Sequence, residues 1–426
     1  MAFCLPFLLY SVTLAPTVTL EDSGELICAA YNLGVPHEPG YPLFTMLGKL
    51  FTLLPIGTVA LRVNLMSAFF TALASVFVFL ASVLVIERVG EASSFIKKIP
   101  EGCGRLLALF AGLAAALLFG TASSPWEQAV IAEVYGLNSC LVGLFLFLLQ
   151  LLTRQRDERK KLNILYSISA VTGLALTAHS TSAMLIPLFG LYCLAAERKL
   201  LTNYVALLKA AGCFFLGLLP LAYLPLAASR NPIINWGDPG NFVDFMRVIT
   251  RHQYGQSQWT FDGFLAQSRV FFTELLTQQW VPIVLLFAVA GMVAIFKRNK
   301  PFFWFSICFL LFSMPITTAM TNFDVSSPAV AFEHKALVSV FYIPAYLFLS
   351  ILMGTGFFFA GALFPANPRV IRIGAILFPL AAFSLSALPN FSKENMHGYY
   401  CGQAYANNIL KTLPRRFPYS GFDHRD

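Results

Sequence analysis

The chain has 426 residues, 57% of them hydrophobic and only 12% charged, with a mean hydropathy of +0.69. That composition leaves too little polar surface to solvate a compact fold of this length, and excludes a soluble enzyme. The formal net charge of +8 sits in short basic runs beside apolar stretches; this is the pattern of a topology signal, and it excludes nucleic acid as a partner.

A hydrocarbon core takes about 20 apolar residues per helix. Such stretches, some near the short limit, recur at 2–19, 58–86, 105–122, 134–153, 163–179, 181–196, 203–228, 281–296, 302–320, 337–362 and 371–388. The expectation is an all-α integral membrane protein, a bundle of about eleven transmembrane helices. Residues 2–19 have no basic leading region and no clear small-residue cleavage site before Glu21, so they read as a retained helix rather than a signal peptide.

The connections Arg88–Arg105, Arg154–Lys161, Glu197–Lys199, Lys297–Lys300 and Arg369–Arg372 hold 16 of the 29 Lys and Arg. Such density marks them as cytoplasmic, with the N-terminus inside and the C-terminal tail outside. Residues 1–388 then form the membrane domain and 389–426 a short non-cytoplasmic tail. The eight cysteines show no CxxC spacing, and only Cys28 and Cys401 share the outer side. Few ionisable residues lie in the spans, Lys209 being the clearest near one, which argues against an ion-coupled transporter.

Of the 21 Asp and Glu, 15 fall in the outer segments, so a site is sought there. The first outer loop, 20–57, opens Glu21-Asp22-Ser23-Gly24-Glu25 and runs into a short amphipathic helix that Gly34 should close. Asp22 has two readings: an N-cap bonding the first amides, or a carboxylate at the membrane surface acting as general base. The Pro- and Gly-rich turn Pro36–Pro42 presents His37, Glu38 and Tyr41 together, and Leu43–Leu54 reads as a second interfacial helix. Arg62 and Asn64 follow at the outer boundary; Arg62 either meets a lipid phosphate or snorkels.

The second outer loop supplies Glu133 and Tyr135, with Glu133 read either as a ligand-binding carboxylate or as a helix-end charge. His179 sits in a tight outer turn that needs polar residues in any case. The long outer segment, 229–279, carries Asn235-Trp236-Gly237-Asp238-Pro239, a turn in which Trp236 is expected as an exposed aromatic. Its Phe242–Tyr254 stretch has helical spacing, which puts Arg247 and Arg251 on one face, as a phosphate site or a solvated basic face. Glu333, His334 and Lys335, before the tenth span, are candidates to complete that site.

Taken in order, EDSGEL, HEPGYPLF, RVNL, AEVYGLN and NWGDP resemble the transmembrane-260-type protein O-mannosyltransferases and their bacterial relatives, of the GT-C glycosyltransferase superfamily, over roughly residues 10–260. The resemblance implies an enzyme that moves a sugar, usually mannose, from a polyprenyl-phosphate donor to an acceptor hydroxyl outside the cytoplasm. The acceptor would be Ser or Thr of proteins, or a glycan, and the membrane a bacterial inner membrane or the endoplasmic reticulum. An acidic residue in the first outer loop would be the base: Asp22, with Glu25 or Glu21 as alternates. Substrate contacts would fall to His37, Glu38, Tyr41, Arg62, Asn64, Glu133, Tyr135, His179, Trp236, Asp238 and Arg251.

No spacing demands a metal, although the outer carboxylates leave a divalent cation open; the resemblance implies that none is needed. Residues 404–414 look like the family's entry into a large outer domain, but the chain stops at Asp426; the expectations are a truncated or frameshifted product, a naturally short member, or a separate partner supplying that domain. Other classes carried alongside are a lipid-linked-oligosaccharide flippase or transporter, and a lipid-sugar ligase or polymerase.

Overall fold

A computed structural model describes residues 1–92, 100, 102–254, 260–321, 323–327, 329–362 and 367–412. The described residues are helical with no strand beyond one isolated bridge, Val35 with Asn235. Eight helices are long and apolar enough to cross a membrane, and a bent pair, 261–279 and 282–298, meets at 106°. Two shorter apolar helices, Cys4–Thr13 and Ser180–Ala196, match the remaining expected stretches.

The first expected span is therefore cut short. Its helix α1, Cys4–Thr13, has 10 residues and measures about 15 Å, half a hydrocarbon core. The chain turns extended at Leu14 and is fixed to the bundle instead. Tyr10 donates to the Gly120 carbonyl at 2.6 Å, Trp126 Nε1 to Thr13 Oγ1 at 3.0 Å, and the Met396 amide to the Thr13 carbonyl at 2.9 Å. The eighth expected span, 281–296, is likewise one arm of the bent pair.

In the first half of the chain the elements that matter for the site are α2 (Ser23–Asn32), α3 (Pro42–Thr52), α4 (Val59–Glu91), α5 (Cys103–Thr121), α6 (Ser123–Ala129), α7 (Tyr135–Arg154) and α8 (Glu158–Ala178). The 33-residue α4 is apolar on every face and opens on Thr58, whose hydroxyl accepts the Leu61 amide at 3.1 Å. It is the mast against which α5 and α7 pack. Lipid supplies no hydrophobic drive between helices, so close approach by small residues must. A methyl on Gly291 would overlap the Leu352 carbonyl and one on Gly356 the Phe287 carbonyl. Helices Leu285–Arg298 and Ile343–Gly361 thus touch backbone to backbone.

Polar residues sort to the two ends of the bundle. At one, Arg154 joins α7 to Glu87 and Glu91 of α4, and Lys161 pairs with Glu197 at 2.7 Å. At the other, the segments around 13–58, 122–134, 179–182 and 229–254 bond to one another, and the candidate site lies there.

Candidate active site

Helix α2 buries Leu26, Ile27, Ala29 and Ala30 and turns its acidic edge to the following turn. The capping bond expected of Asp22 is not made. Asp22 already has helical angles (φ −73°, ψ −14°) and its side chain accepts no cap amide, so its carboxylate is about half exposed, at 51%. Leu33, not Gly34, takes the left-handed closing position (φ 54°). Gly34 is there for space, because a Cβ would stand 2.5 Å from the Ile234 carbonyl oxygen.

Glu25 folds back on the turn that follows α2. Its Oε1 accepts the His37 backbone amide at 2.7 Å and its Oε2 faces His37 Nδ1 at 2.8 Å. The other imidazole nitrogen, Nε2, faces Asp22 Oδ2 at 3.7 Å. Burial is the main influence on the Asp22 carboxyl and raises its pKa; the His37 ring pulls it back and Glu25 pushes it further up.

Tyr41 is the hub. It caps α3 in the left-handed region (φ 34°), uncommon for a bulky side chain, and its ring is buried. The His37 ring meets it edge-on at 5.1 Å and the His179 ring stacks on it at 6.0 Å. Tyr135 and Phe341 close around His179 at 5.1 and 6.0 Å. His179 Nδ1 accepts the Thr181 amide at 3.2 Å and faces Thr181 Oγ1 at 2.7 Å. Burial, then the nearby Arg251 guanidinium, lowers its pKa to about 3, and the ring is neutral.

The long outer segment is laid over the first loop. Val35 donates to the Ile234 carbonyl at 2.8 Å and accepts the Trp236 amide at 3.0 Å. The buried Glu38 carboxylate accepts the Gln253 amide at 2.8 Å. The shared helical face expected for Arg247 and Arg251 does not form, because the helix ends at Ile249 and Arg251 is left-handed (φ 58°). Arg247 pairs with Asp244 at 3.1 Å in solvent, whereas Arg251 turns inward. Arg251 donates to Ser180 Oγ at 3.1 Å and lies 4.5 Å over the Tyr254 ring, with its Nε buried and unpaired. Among the described residues no carboxylate forms an ion pair with it.

The other named residues are placed as follows. Arg62 spends its guanidinium on the carbonyls of Thr52, Ile56 and Gly57. Asn64 ties the carbonyls of Ala15 and Thr17 at 2.8 and 3.1 Å. Glu133 is buried; burial first, and the Asp22 charge next, raise its pKa well above the ordinary carboxylate range. Trp236 is half exposed, and Asp238 accepts Asn235 Nδ2 at 2.8 Å within its own turn. Sequence reasoning passed over Ser180, Tyr254 and Phe341. Tyr254 follows Arg251 by three residues, a signal readable only once the helix is known to stop.

Next to this cluster lies a cavity of about 700 Å³ lined by Ser123, Glu127, Arg269, Glu274, Lys335 and Lys393 among others. Glu127 is exposed to this cavity, and neighbouring protein atoms desolvate its carboxyl and raise it to about 7. Asp22, Glu25 and His37 offer one oxygen or nitrogen each within 4.8 Å of one another. Those atoms already satisfy one another in part, Nδ1 being bonded to Glu25. The Cys28 and Cys401 thiols are both free. Of the tail, residues 413–426 lie outside the described residues.

The family model of the protein O-mannosyl-transferase TMEM260 N-terminal domain matches residues 22–202, the stretch from the Asp22 carboxylate past the His179 turn. The chain is thus similar to the TMEM260 family over that stretch. It is 34% identical over 257 residues to the protein O-mannosyl-transferase TMEM260 of Mus musculus, covering 58% of this chain and 33% of that one. To the protein O-mannosyl-transferase tmem260 of Dictyostelium discoideum it is 25% identical over 448 residues, covering 96% and 52%. It thus spans a third to a half of the length of these TMEM260 relatives. No solved structure matches it. Within the TMEM260 match fall Asp22, Glu25, His37, Tyr41, Glu133, Tyr135 and His179; Trp236, Asp238 and Arg251 lie beyond it.

Proposed function

We propose that the chain is a membrane protein O-mannosyltransferase that uses Asp22 as general base, on the non-cytoplasmic face, with a polyprenyl-phosphate mannose as donor. The carrying observation is the Asp22 carboxylate itself: at a helix start, free of any capping bond, half exposed and with a raised pKa. A carboxylate so placed takes a hydroxyl proton more readily than a solvated one. The names of the relatives supply the sugar and the class of acceptor, and the basic residues at the opposite end of the bundle favour this face as the outer one.

The reaction is an inverting displacement. The acceptor Ser or Thr oxygen gives its proton to Asp22 and bonds to C1 of mannose, while the bond from C1 to the phosphate oxygen breaks. Polyprenyl phosphate leaves with the electron pair. Arg251 is the cation we assign to that phosphate, because its buried Nε lacks a partner and no carboxylate neutralises it among the described residues. The chain's own residues complete this scheme without a metal.

The test is transfer of radiolabelled mannose from a polyprenyl-phosphate donor to a Ser/Thr peptide, comparing wild type with Asp22→Asn in matched membranes. Transfer by the wild type and a fall of about 10²- to 10⁴-fold in the variant is expected for loss of a general base. Undiminished transfer by Asp22→Asn removes Asp22 from the role, and lipid translocation without transfer by the wild type favours a flippase.

A further inference from the structure

We infer that His37, held by Glu25, is the positioning residue that relays the proton away from Asp22, so that the base is a three-residue unit rather than one carboxylate. This rests on Asp22 being the base.

The argument starts from which nitrogen carries hydrogen. Glu25 offers two oxygens, one accepting the His37 backbone amide at 2.7 Å and the other facing Nδ1 at 2.8 Å. A carboxylate only accepts, so Nδ1 is the protonated nitrogen. The fork fixes both ring and backbone, and Tyr41 bounds the ring edge at 5.1 Å. Nε2 is then left with a lone pair aimed at Asp22 Oδ2, 3.7 Å away.

Two lone-pair atoms facing each other repel, and a proton between them removes the repulsion. The separation exceeds a direct hydrogen bond. Asp22 is half exposed and its side chain is free to close the gap by rotation. When Asp22 takes the acceptor proton, Nε2 is the base beside it, and the resulting imidazolium lies between two carboxylates. Transfer of that proton to Nε2 restores Asp22 to its ionised form, and the proton leaves to water from Nε2 before the next turnover. No bond other than N–H and O–H changes in this step.

The other titratable groups around the pair are Glu21 and Cys28 on the same loop, Tyr41 on the turn, Glu133 ahead of α7, His179 after α8, and Tyr254 and Arg251 on the long segment. Among the described residues none of these bridges Nε2 and Asp22 by a hydrogen bond. His179 is neutral with its own Nδ1 engaged by Thr181, and Arg251 is turned to Ser180 and Tyr254. His37 is thus the group with a free nitrogen on the Asp22 side.

The experiment uses the full chain in membranes and measures mannose transfer against pH for wild type, His37→Gln, Glu25→Gln and Asp22→Asn, with thermal unfolding of each. His37→Gln is expected to lower kcat about 10²-fold at unchanged donor KM and unchanged unfolding temperature, with the acid limb of the profile displaced. Glu25→Gln should move the same limb, and in wild type the ¹⁵N resonances of His37 should show hydrogen on Nδ1 at neutral pH. If Asp22→Asn is inactive while His37→Gln keeps the wild-type kcat and pH profile, the relay is overturned and the base stands. If Asp22→Asn is active, the base assignment itself fails. Loss of transfer on chelation, restored by Mn²⁺, also overturns the relay, because the three side chains would then serve a cation.

Discussion

The Glu38 carboxylate accepts the Gln253 backbone amide at 2.8 Å, across 215 residues of chain, and is buried where it does so. That bond, with the Val35–Asn235 bridge, lays the long outer segment over the first loop and delivers Arg251 to Tyr41. Removing the carboxylate breaks this part-buried bond, at a cost of about 1 kcal/mol. Glu38→Ala should therefore lower the unfolding temperature and open the 229–254 segment to protease, whereas Glu38→Gln, which keeps an acceptor, should do much less. Equal behaviour of the two variants would show that the bond does not hold the segment.

The raised Asp22 carboxyl sets the acid side of activity. A base works ionised, so kcat/KM should fall as pH drops through a pKa above the ordinary carboxylate value, and the limb should lie higher than for an exposed aspartate. Burial is the leading cause and the Glu25 charge adds to it, while His37 opposes both. Glu25→Gln should accordingly move the limb to lower pH through charge alone, and its direction, read from a pH profile, separates this through-space effect from any loss of the relay.

Much of this was legible in the sequence because membrane helices are written in composition. The expected stretches recur as helices, and the residues placed on the outer side do meet at one end of the bundle. What the sequence could not show is who bonds to whom across long separations. Asp22 and Glu25 three apart look like a capping pair, and only the arrival of His37 from the next turn diverts Glu25 and leaves Asp22 uncapped. Arg247 and Arg251 four apart look like one helical face, but the docking of Gln253 on Glu38 draws the chain out of the helix at Thr250. Arg62, which pattern alone assigns to phosphate or snorkelling, faces three carbonyls from the loop preceding its own helix. In each case a tertiary partner outbid a local rule.

Arg251 should be intolerant even of lysine. Its planar guanidinium donates to Ser180 while lying over Tyr254, and a point-charge ammonium cannot do both. Arg251→Lys is expected to lower kcat/KM for the lipid-phosphate donor by at least about tenfold, and Arg251→Met by more, since charge is lost as well. If the phosphate instead sits in the neighbouring cavity, Arg269→Gln with Lys335→Gln will carry that loss and Arg251→Met will not. Donor-concentration series for the three proteins decide between the two placements.

Two groups near the site should limit stability from opposite sides of the pH scale. His179 is buried neutral with its pKa lowered to about 3. The unfolded chain binds a proton near the ordinary imidazole value of 6.5 and the folded chain does not, so stability is full above that value and lost as pH falls towards 3. Glu127 is the reverse case, raised to about 7 from 4.5. The folded chain keeps a proton the unfolded chain releases, so its contribution is full below 4.5 and lost as pH rises through 7. The windows, 3 to 6.5 and 4.5 to 7, overlap, so the opposing slopes should leave the unfolding temperature in detergent highest and nearly level between about 4.5 and 6.5. His179→Asn should remove the rise between 3 and 4.5, and Glu127→Gln the fall above 6.5; a Glu127→Gln variant with an unchanged fall there would place the titrating group elsewhere in the cavity.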